Sequence, residues 1–117
     1  MGRLTTHVLD TAHGKPAAGV VIRLYHCAAD GRQLLAQHAT NSDGRCATAL
    51  LQDELFKTGN YELDFALGDY FAALGVVVPE PRFIDVVTLR FGISDASAHY
   101  HVPLLASPFS YSTYRGS

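Results

Sequence analysis

The 117-residue chain is 48% hydrophobic with a formal charge of -2, enough apolar material for one domain over residues 1–117 to bury a core without disulfide or metal support. Its lysines and arginines are scattered singly, which leaves no electrostatic footprint for nucleic acid or an anionic membrane surface. No apolar run reaches transmembrane or signal-peptide length, and Cys27 and Cys46 are too few and too far apart for a disulfide framework or a paired-cysteine zinc motif. Two inert, buried thiols in a cytoplasmic protein are expected.

Period-two alternation dominates the chain, as in an all-β sandwich or barrel. The first predicted strand runs from Leu4 to Asp10 and ends at the turn His13-Gly14-Lys15-Pro16. Strands follow over Val20 to Cys27 and Arg32 to His38, joined at Asp30-Gly31. The turn Asn41-Ser42-Asp43-Gly44 leads into a short strand over Arg45 to Thr48, and another spans Gly59 to Ala66. One short helix is predicted over Asp69 to Leu74, with Asp69 as N-cap and Gly75 taking the left-handed conformation that ends it. After Pro79-Glu80-Pro81 come strands over Arg82 to Phe91, His99 to Leu105 and Ser110 to Arg115, eight in all.

Side-chain parity adds a quaternary expectation. Leu4, Thr6 and Val8 share one face of the first strand, and Thr5, His7 and Leu9 the other. Tyr100, Val102 and Leu104 likewise face a core, leaving His99, His101, Pro103 and Leu105 opposite. Neither outer face has the polarity of a solvated surface, so both are expected to meet another subunit. Pro103 donates no ladder hydrogen bond and requires an edge position or a bulge, which could re-aim His101.

Several residues could carry chemistry. His7 is a structural imidazole or a proton-transfer group, and alone decides nothing. Arg45, directly after Asp43-Gly44, is either a solvated cation or a planar donor for a carbonyl-rich ligand. His99 and His101 on one strand face have a spacing seen in metal sites, but no second ligand pair accompanies them. His13, His26 and His38 read as non-functional. At the end of the chain, Tyr114-Arg115-Gly116-Ser117 attaches a phenol, a guanidinium, a flexible glycine and a hydroxyl to a predicted strand, offering donors and acceptors to an amide-rich heterocycle.

Thr6-His7-Val8-Leu9-Asp10, Ser42-Asp43-Gly44-Arg45, His99-Tyr100-His101-Val102-Pro103-Leu104-Leu105, Ser107-Pro108-Phe109 and Tyr111-Ser112-Thr113-Tyr114-Arg115-Gly116-Ser117 together resemble the 5-hydroxyisourate hydrolases. The resemblance runs from about Leu4 to the last residue. It implies a transthyretin-like, eight-stranded β-sandwich of two four-stranded sheets with one short helix. It also implies a homotetramer, a dimer of dimers, with sites in a channel at the subunit interface.

The implied reaction opens the six-membered ring of 5-hydroxyisourate to 2-oxo-4-hydroxy-4-carboxy-5-ureidoimidazoline in urate degradation, with neither metal nor organic cofactor. His7, Arg45, His101 and Ser117 are the implied catalytic residues. His7, Arg45, Tyr114, Arg115 and Gly116 are the implied substrate-binding residues. Transthyretin, the hormone-carrying relative, lacks the combination of His7, Arg45 and His101.

Three rival readings make different demands. A small-ligand carrier on the same fold requires an apolar, uncharged channel. A structural interaction domain would leave the polar residues incidental. A strand-borne zinc hydrolase would require bound metal.

Overall fold

The computed structural model describes residues 2–116. The first layer is built from broken strands. β1 (Arg3–Thr5) and β2 (Val8–Asp10) are two pieces of the predicted first strand, and β9 (His99–His101) and β10 (Leu104–Ala106) two pieces of the seventh. β1 pairs parallel with β9, Thr5 opposite His101, and β2 pairs parallel with β10, Val8 opposite Leu104. The register offset is the same on both sides of the break.

The interruption has a local cause. Pro103 has no N–H to give, and the Val102 carbonyl accepts from the Thr6 hydroxyl at 2.6 Å. Leu104 N–H then donates to His7 O at 2.9 Å, and the pairing resumes. Three short strands complete this layer. β3 (Lys15–Pro16) pairs with β2, β6 (Leu51–Gln52) with β1, and β11 (Tyr111–Thr113) with β10.

The second layer is a four-stranded antiparallel sheet of β5 (Gly31–Ala39), β4 (Val21–Ala28), β7 (Gly59–Ala66) and β8 (Val86–Ile93), in that spatial order. Alternate residues Ile22 and Leu24, Tyr61, Leu63 and Phe65, and Val87 and Leu89 are buried. They form one core cluster with Leu4, Val8, Tyr100, Val102 and Leu104 of the first layer. The parity expectation holds: Leu4, Thr6 and Val8 are buried, whereas Thr5, His7 and Leu9 are half-buried on the outer face. Counting each broken strand once and setting aside the two-residue β3, the described residues carry the eight strands of the transthyretin-like sandwich.

Several predicted boundaries shift. The strand expected over Arg45 to Thr48 is absent; only Arg45 pairs, in an isolated bridge to His7, and the strand lies at β6 instead. The turn claims the Arg45 backbone, since its carbonyl accepts from Asn41 N–H and its N–H donates to Asn41 Oδ1. The strand expected from Arg82 starts at Val86, because Arg82 binds Asp69, Glu80 and Asp85 and ties that segment to the helix. The last strand is confined to Tyr111–Thr113.

The helix α1 occupies Leu67–Ala73, buries Leu67, Tyr70 and Phe71, and ends at Gly75 with φ +82°. Asp69 is not its N-cap: the helix begins after Ala66 without a side-chain cap, and the Asp69 carboxylate is held by Arg82. Among the described residues no helix is long and apolar enough to cross a membrane. Both cysteines are free and half-buried rather than fully buried.

Candidate active site

Parallel pairing of the chain's two ends brings the histidines together. Thr5 lies directly across from His101, and the outward parity of Thr5 and His7 matches that of His99 and His101. His7 Nδ1 and His101 Nε2 are 2.7 Å apart, with ring centroids 4.9 Å apart. His101 Nδ1 is 2.7 Å from Thr5 Oγ1, which also bonds His99 Nε2 at 2.8 Å.

Arg45 enters from the other side of His7. Gly44, at φ +72°, turns the chain, and its carbonyl accepts Val8 N–H at 2.8 Å. A Cβ at Gly44 would lie 2.5 Å from Val8 O, so glycine is required both for the left-handed backbone and for the close approach. Residues opposed in an antiparallel bridge project to the same face with Cβ atoms about 5 Å apart, which sets Arg45 beside the His7 imidazole.

Burial holds His7 below the ordinary histidine value, and the Arg45 cation pushes it the same way. His101 is lowered by burial first, then by His7, Arg45 and His99. Both imidazoles therefore favour their neutral form near neutral pH, the form that can accept a proton.

These groups line a depression of about 540 Å³ with Arg3, Cys46, Tyr114 and Gly116. Its described lining holds no carboxylate, which suits an electron-rich, carbonyl-bearing ligand. Burial pushes the Cys46 thiol up, making it a poor nucleophile. No cluster of three His, Cys, Asp or Glu side chains suited to a metal occurs among the described residues.

The C-terminal segment closes one wall. Gly116 N–H donates to His101 O at 2.7 Å in an isolated antiparallel bridge. A Cβ on Gly116 would come 2.9 Å from His101 Cδ2, so its backbone lies against the imidazole.

Arg115 takes the other face of the sheet. Its guanidinium carbon lies 3.9 Å from the centroid of the Tyr100 ring, in a second and more apolar depression between β8 and β11. The Tyr100 hydroxyl lies within hydrogen-bond range of Ser94 Oγ and accepts from the N–H groups of Ser94 and Asp95. Those contacts, with Arg115 nearby, hold its phenol below the usual value. Within one chain, then, His7, Arg45, His101, Tyr114 and Gly116 share the depression and Arg115 does not. Ser117 lies outside the described residues.

Thr5 was not singled out from sequence, and His99 was weighed only as half of a metal-like pair with His101. Their shared outward parity with His7 and His101 was the available signal, but parity alone does not reveal that one hydroxyl bonds both imidazoles of β9.

The model of the HIUase/Transthyretin family matches residues 4–116. The chain is 61% identical over 117 residues to a 5-hydroxyisourate hydrolase of Ralstonia nicotianae, covering all of both chains. Among solved structures it is similar to Klebsiella pneumoniae 5-hydroxyisourate hydrolase, with TM-score 0.83 and 32% identity over 100% of both chains. It is also similar to an (S)-allantoin synthase, with TM-score 0.94 and 44% identity, covering 99% of this chain but 44% of that longer one.

Proposed function

We propose that this chain, which belongs to the HIUase/Transthyretin family, hydrolyses 5-hydroxyisourate, the ring-opening step of urate degradation. The observation that carries the reading is the 2.7 Å contact between His7 and His101, two imidazoles held neutral beside Arg45 in a depression whose described lining has no carboxylate.

A water attacks the ring carbonyl next to the hydroxyl-bearing carbon. His7 takes its proton through Nε2, the ring nitrogen left free when Nδ1 faces His101. Arg45 stabilises the oxyanion of the tetrahedral intermediate, and its planar donors match adjacent carbonyl oxygens. His101 fixes the His7 tautomer. As the intermediate collapses, His7 returns the proton to the departing ring nitrogen, so proton uptake and release balance over the cycle. Tyr114 and Gly116 shape the wall of the site, and Ser117 is the further catalytic group in this proposal. Arg115 holds the tail through Tyr100 rather than touching substrate in its own chain.

A homotetramer built as a dimer of dimers is part of the same proposal. β8 and β11 are unpaired edges of the two layers, and Val86, Phe109, Tyr111 and Tyr114 are exposed there or nearby. Open strand edges flanked by apolar side chains favour pairing with another copy. The half-buried outer face carrying Leu9, His7, His101 and Leu105 would then be covered by the second dimer, which would close the depression from water. Cytoplasmic residence of a cofactor-independent, single-domain enzyme completes the proposal. A carrier role is disfavoured by the polar lining of this depression.

The test is direct. Fresh 5-hydroxyisourate is generated with urate oxidase and its ultraviolet decay followed with and without the protein. Strong acceleration is expected, and a decay rate equal to the spontaneous one would refute the assignment.

A further inference from the structure

The contacts between His7 and His101 do not stop at His101. Thr5 Oγ1 lies 2.7 Å from His101 Nδ1 and 2.8 Å from His99 Nε2, which makes a continuous chain of four side chains, His7, His101, Thr5 and His99. We propose that this chain is a proton relay that switches His7 between base and acid during turnover, with Thr5 and His99 as positioning residues acting through His101. The proposal rests on the hydrolase reading above.

Hydrogen-bond arithmetic supplies the argument. A threonine hydroxyl has one proton, so Thr5 donates to one imidazole and accepts from the other. A neutral imidazole has one N–H, so only two arrangements satisfy every contact. In the first, His7 Nδ1–H donates to His101, His101 Nδ1–H donates to Thr5, and the Thr5 hydroxyl donates to His99 Nε2. His7 Nε2 is then bare and can accept a proton from water. In the second, His99 Nε2–H donates to Thr5, the Thr5 hydroxyl donates to His101 Nδ1, and His101 Nε2–H donates to His7 Nδ1. His7 Nε2–H is then an acid.

Proton arrival at His7 Nε2 converts the first arrangement into the second. The Nδ1 proton of His7 passes to His101 Nε2, that of His101 Nδ1 to Thr5, that of Thr5 to His99 Nε2, and the proton on His99 Nδ1 leaves to solvent. Protonation of the leaving ring nitrogen by His7 reverses each transfer, with His99 Nδ1 regaining a proton. Nothing is consumed and charge balances in both directions. Because His99 is half-buried, it can exchange protons with water while the inner pair is covered.

The surroundings favour easy transfer in either direction. The charged or titratable groups of the described lining, apart from the relay itself, are Arg3 on β1, Arg45 and Cys46 on the segment opposite, and Tyr114 on the tail. No carboxylate among them would trap a proton on His101. The register makes the chain possible, since β1 pairs with β9 so that Thr5 stands across from His101 and Arg3 across from His99.

Thr5→Val keeps the shape of the residue and removes its proton, Thr5→Ser keeps the hydroxyl, and His99→Gln keeps a polar partner that cannot relay. With 5-hydroxyisourate, Thr5→Val and His99→Gln should each lower kcat at least about tenfold, within the range of acid–base effects, while KM changes less than about twofold. Thr5→Ser should restore most of kcat. A Thr5→Val enzyme with native kcat, or a Thr5→Ser enzyme as poor as Thr5→Val, would overturn the relay.

Long-range 1H–15N spectra of the imidazoles provide a readout independent of the substrate. Thr5→Val should change the ring-nitrogen shifts of His7, two contacts away from the substitution, and unchanged His7 shifts would overturn the proposal. If the native protein fails to hydrolyse 5-hydroxyisourate, the hydrolase reading falls while the spectra still decide whether the four groups are coupled.

Discussion

Gly116→Ala tests whether the terminal segment is a working wall of the site. The added Cβ would sit 2.9 Å from His101 Cδ2, 3.3 Å from its Cβ and 3.4 Å from its Cγ. Carbon atoms in contact are comfortable at about 3.5–4.0 Å, so the ring and the tail must separate by roughly 0.6–1 Å. The tail is tied to the same residue by the 2.7 Å bond from Gly116 N–H to His101 O, which leaves the imidazole to absorb much of the movement. A shift of that size would stretch the 2.7 Å contact to His7 beyond good hydrogen-bond length.

Misplacement by about 1 Å at a reacting centre costs about 100-fold, so kcat on freshly generated 5-hydroxyisourate should fall by about 10- to 100-fold. The substitution meets only the outward side chain of β9 and displaces no core residue, and urea unfolding should change by less than about 1 kcal/mol. A variant with native turnover and unaltered His7 and His101 resonances would refute the argument that Gly116 sets the position of His101.

Further outcomes follow from the structure. His7→Ala should lower kcat by at least about 100-fold with little change in thermal midpoint, and a native rate would remove His7 as the base. The acid limb of the kcat/KM profile should be centred below 6.5, because burial and Arg45 depress His7 from that value; a limb centred above 6.5 would contradict this. Arg115→Ala should cost only about two- to fivefold in activity, the loss expected when a cation–π contact of about 0.5–1 kcal/mol no longer holds the tail; a loss beyond about 100-fold would mean that Arg115 binds substrate.

Asp10 is buried and accepts from Tyr70 OH at 2.8 Å, His13 N–H at 3.0 Å and His13 Nδ1 at 2.7 Å. Asp10→Ala should destabilise the fold by about 2–4 kcal/mol in urea titrations. Burial alone would raise this carboxyl, but the hydrogen bonds from Tyr70 and His13 bring it below 3.8. A carboxyl lowered on folding contributes stability that is present above its unfolded value and lost as pH falls through the folded one. Asp10→Asn should therefore flatten the decline in stability below about pH 4, and an unchanged acid profile would refute the role given to Asp10.

Legibility in the sequence followed the range of the forces involved. Alternation on β1, β2, β9 and β10 identified which side chains enter the core and which face outward, because parity depends only on local backbone geometry. Pro103 announced an irregularity, and the strand does break there, with Thr6 supplying the bond that the ladder lacks. Gly75 was readable as a helix stop from its own conformational freedom. Asp69 was not readable as a partner of Arg82, nor Arg45 as a residue held by Asn41, because those choices depend on neighbours that only the fold supplies.

At the site, His7, Arg45 and His101 were nameable from motif resemblance, as were the tail residues. Two features were not. Thr5 looked like an ordinary strand threonine until the parallel register set it against β9, and nothing in the sequence indicated that within its own chain Arg115 lies over Tyr100. Adjacent residues on an extended tail point to opposite sides, so a motif that is contiguous in sequence can serve two faces of a sheet.

The pairing of β1 and β2 with β9 and β10 also bears on how the protein reaches its working form. His7 and His101 are separated by 94 positions along the chain, so their encounter closes a loop containing the whole second layer. Loop-closure entropy makes contacts of such high order slow to form. During refolding, β4 and β5 can pair as a hairpin and β7 and β8 can pair across the intervening helix, whereas the two imidazoles meet only when the first and last strands have docked. Recovered turnover should therefore lag behind recovered secondary structure, and catalytic competence would serve as a kinetic clock for the last long-range step of folding.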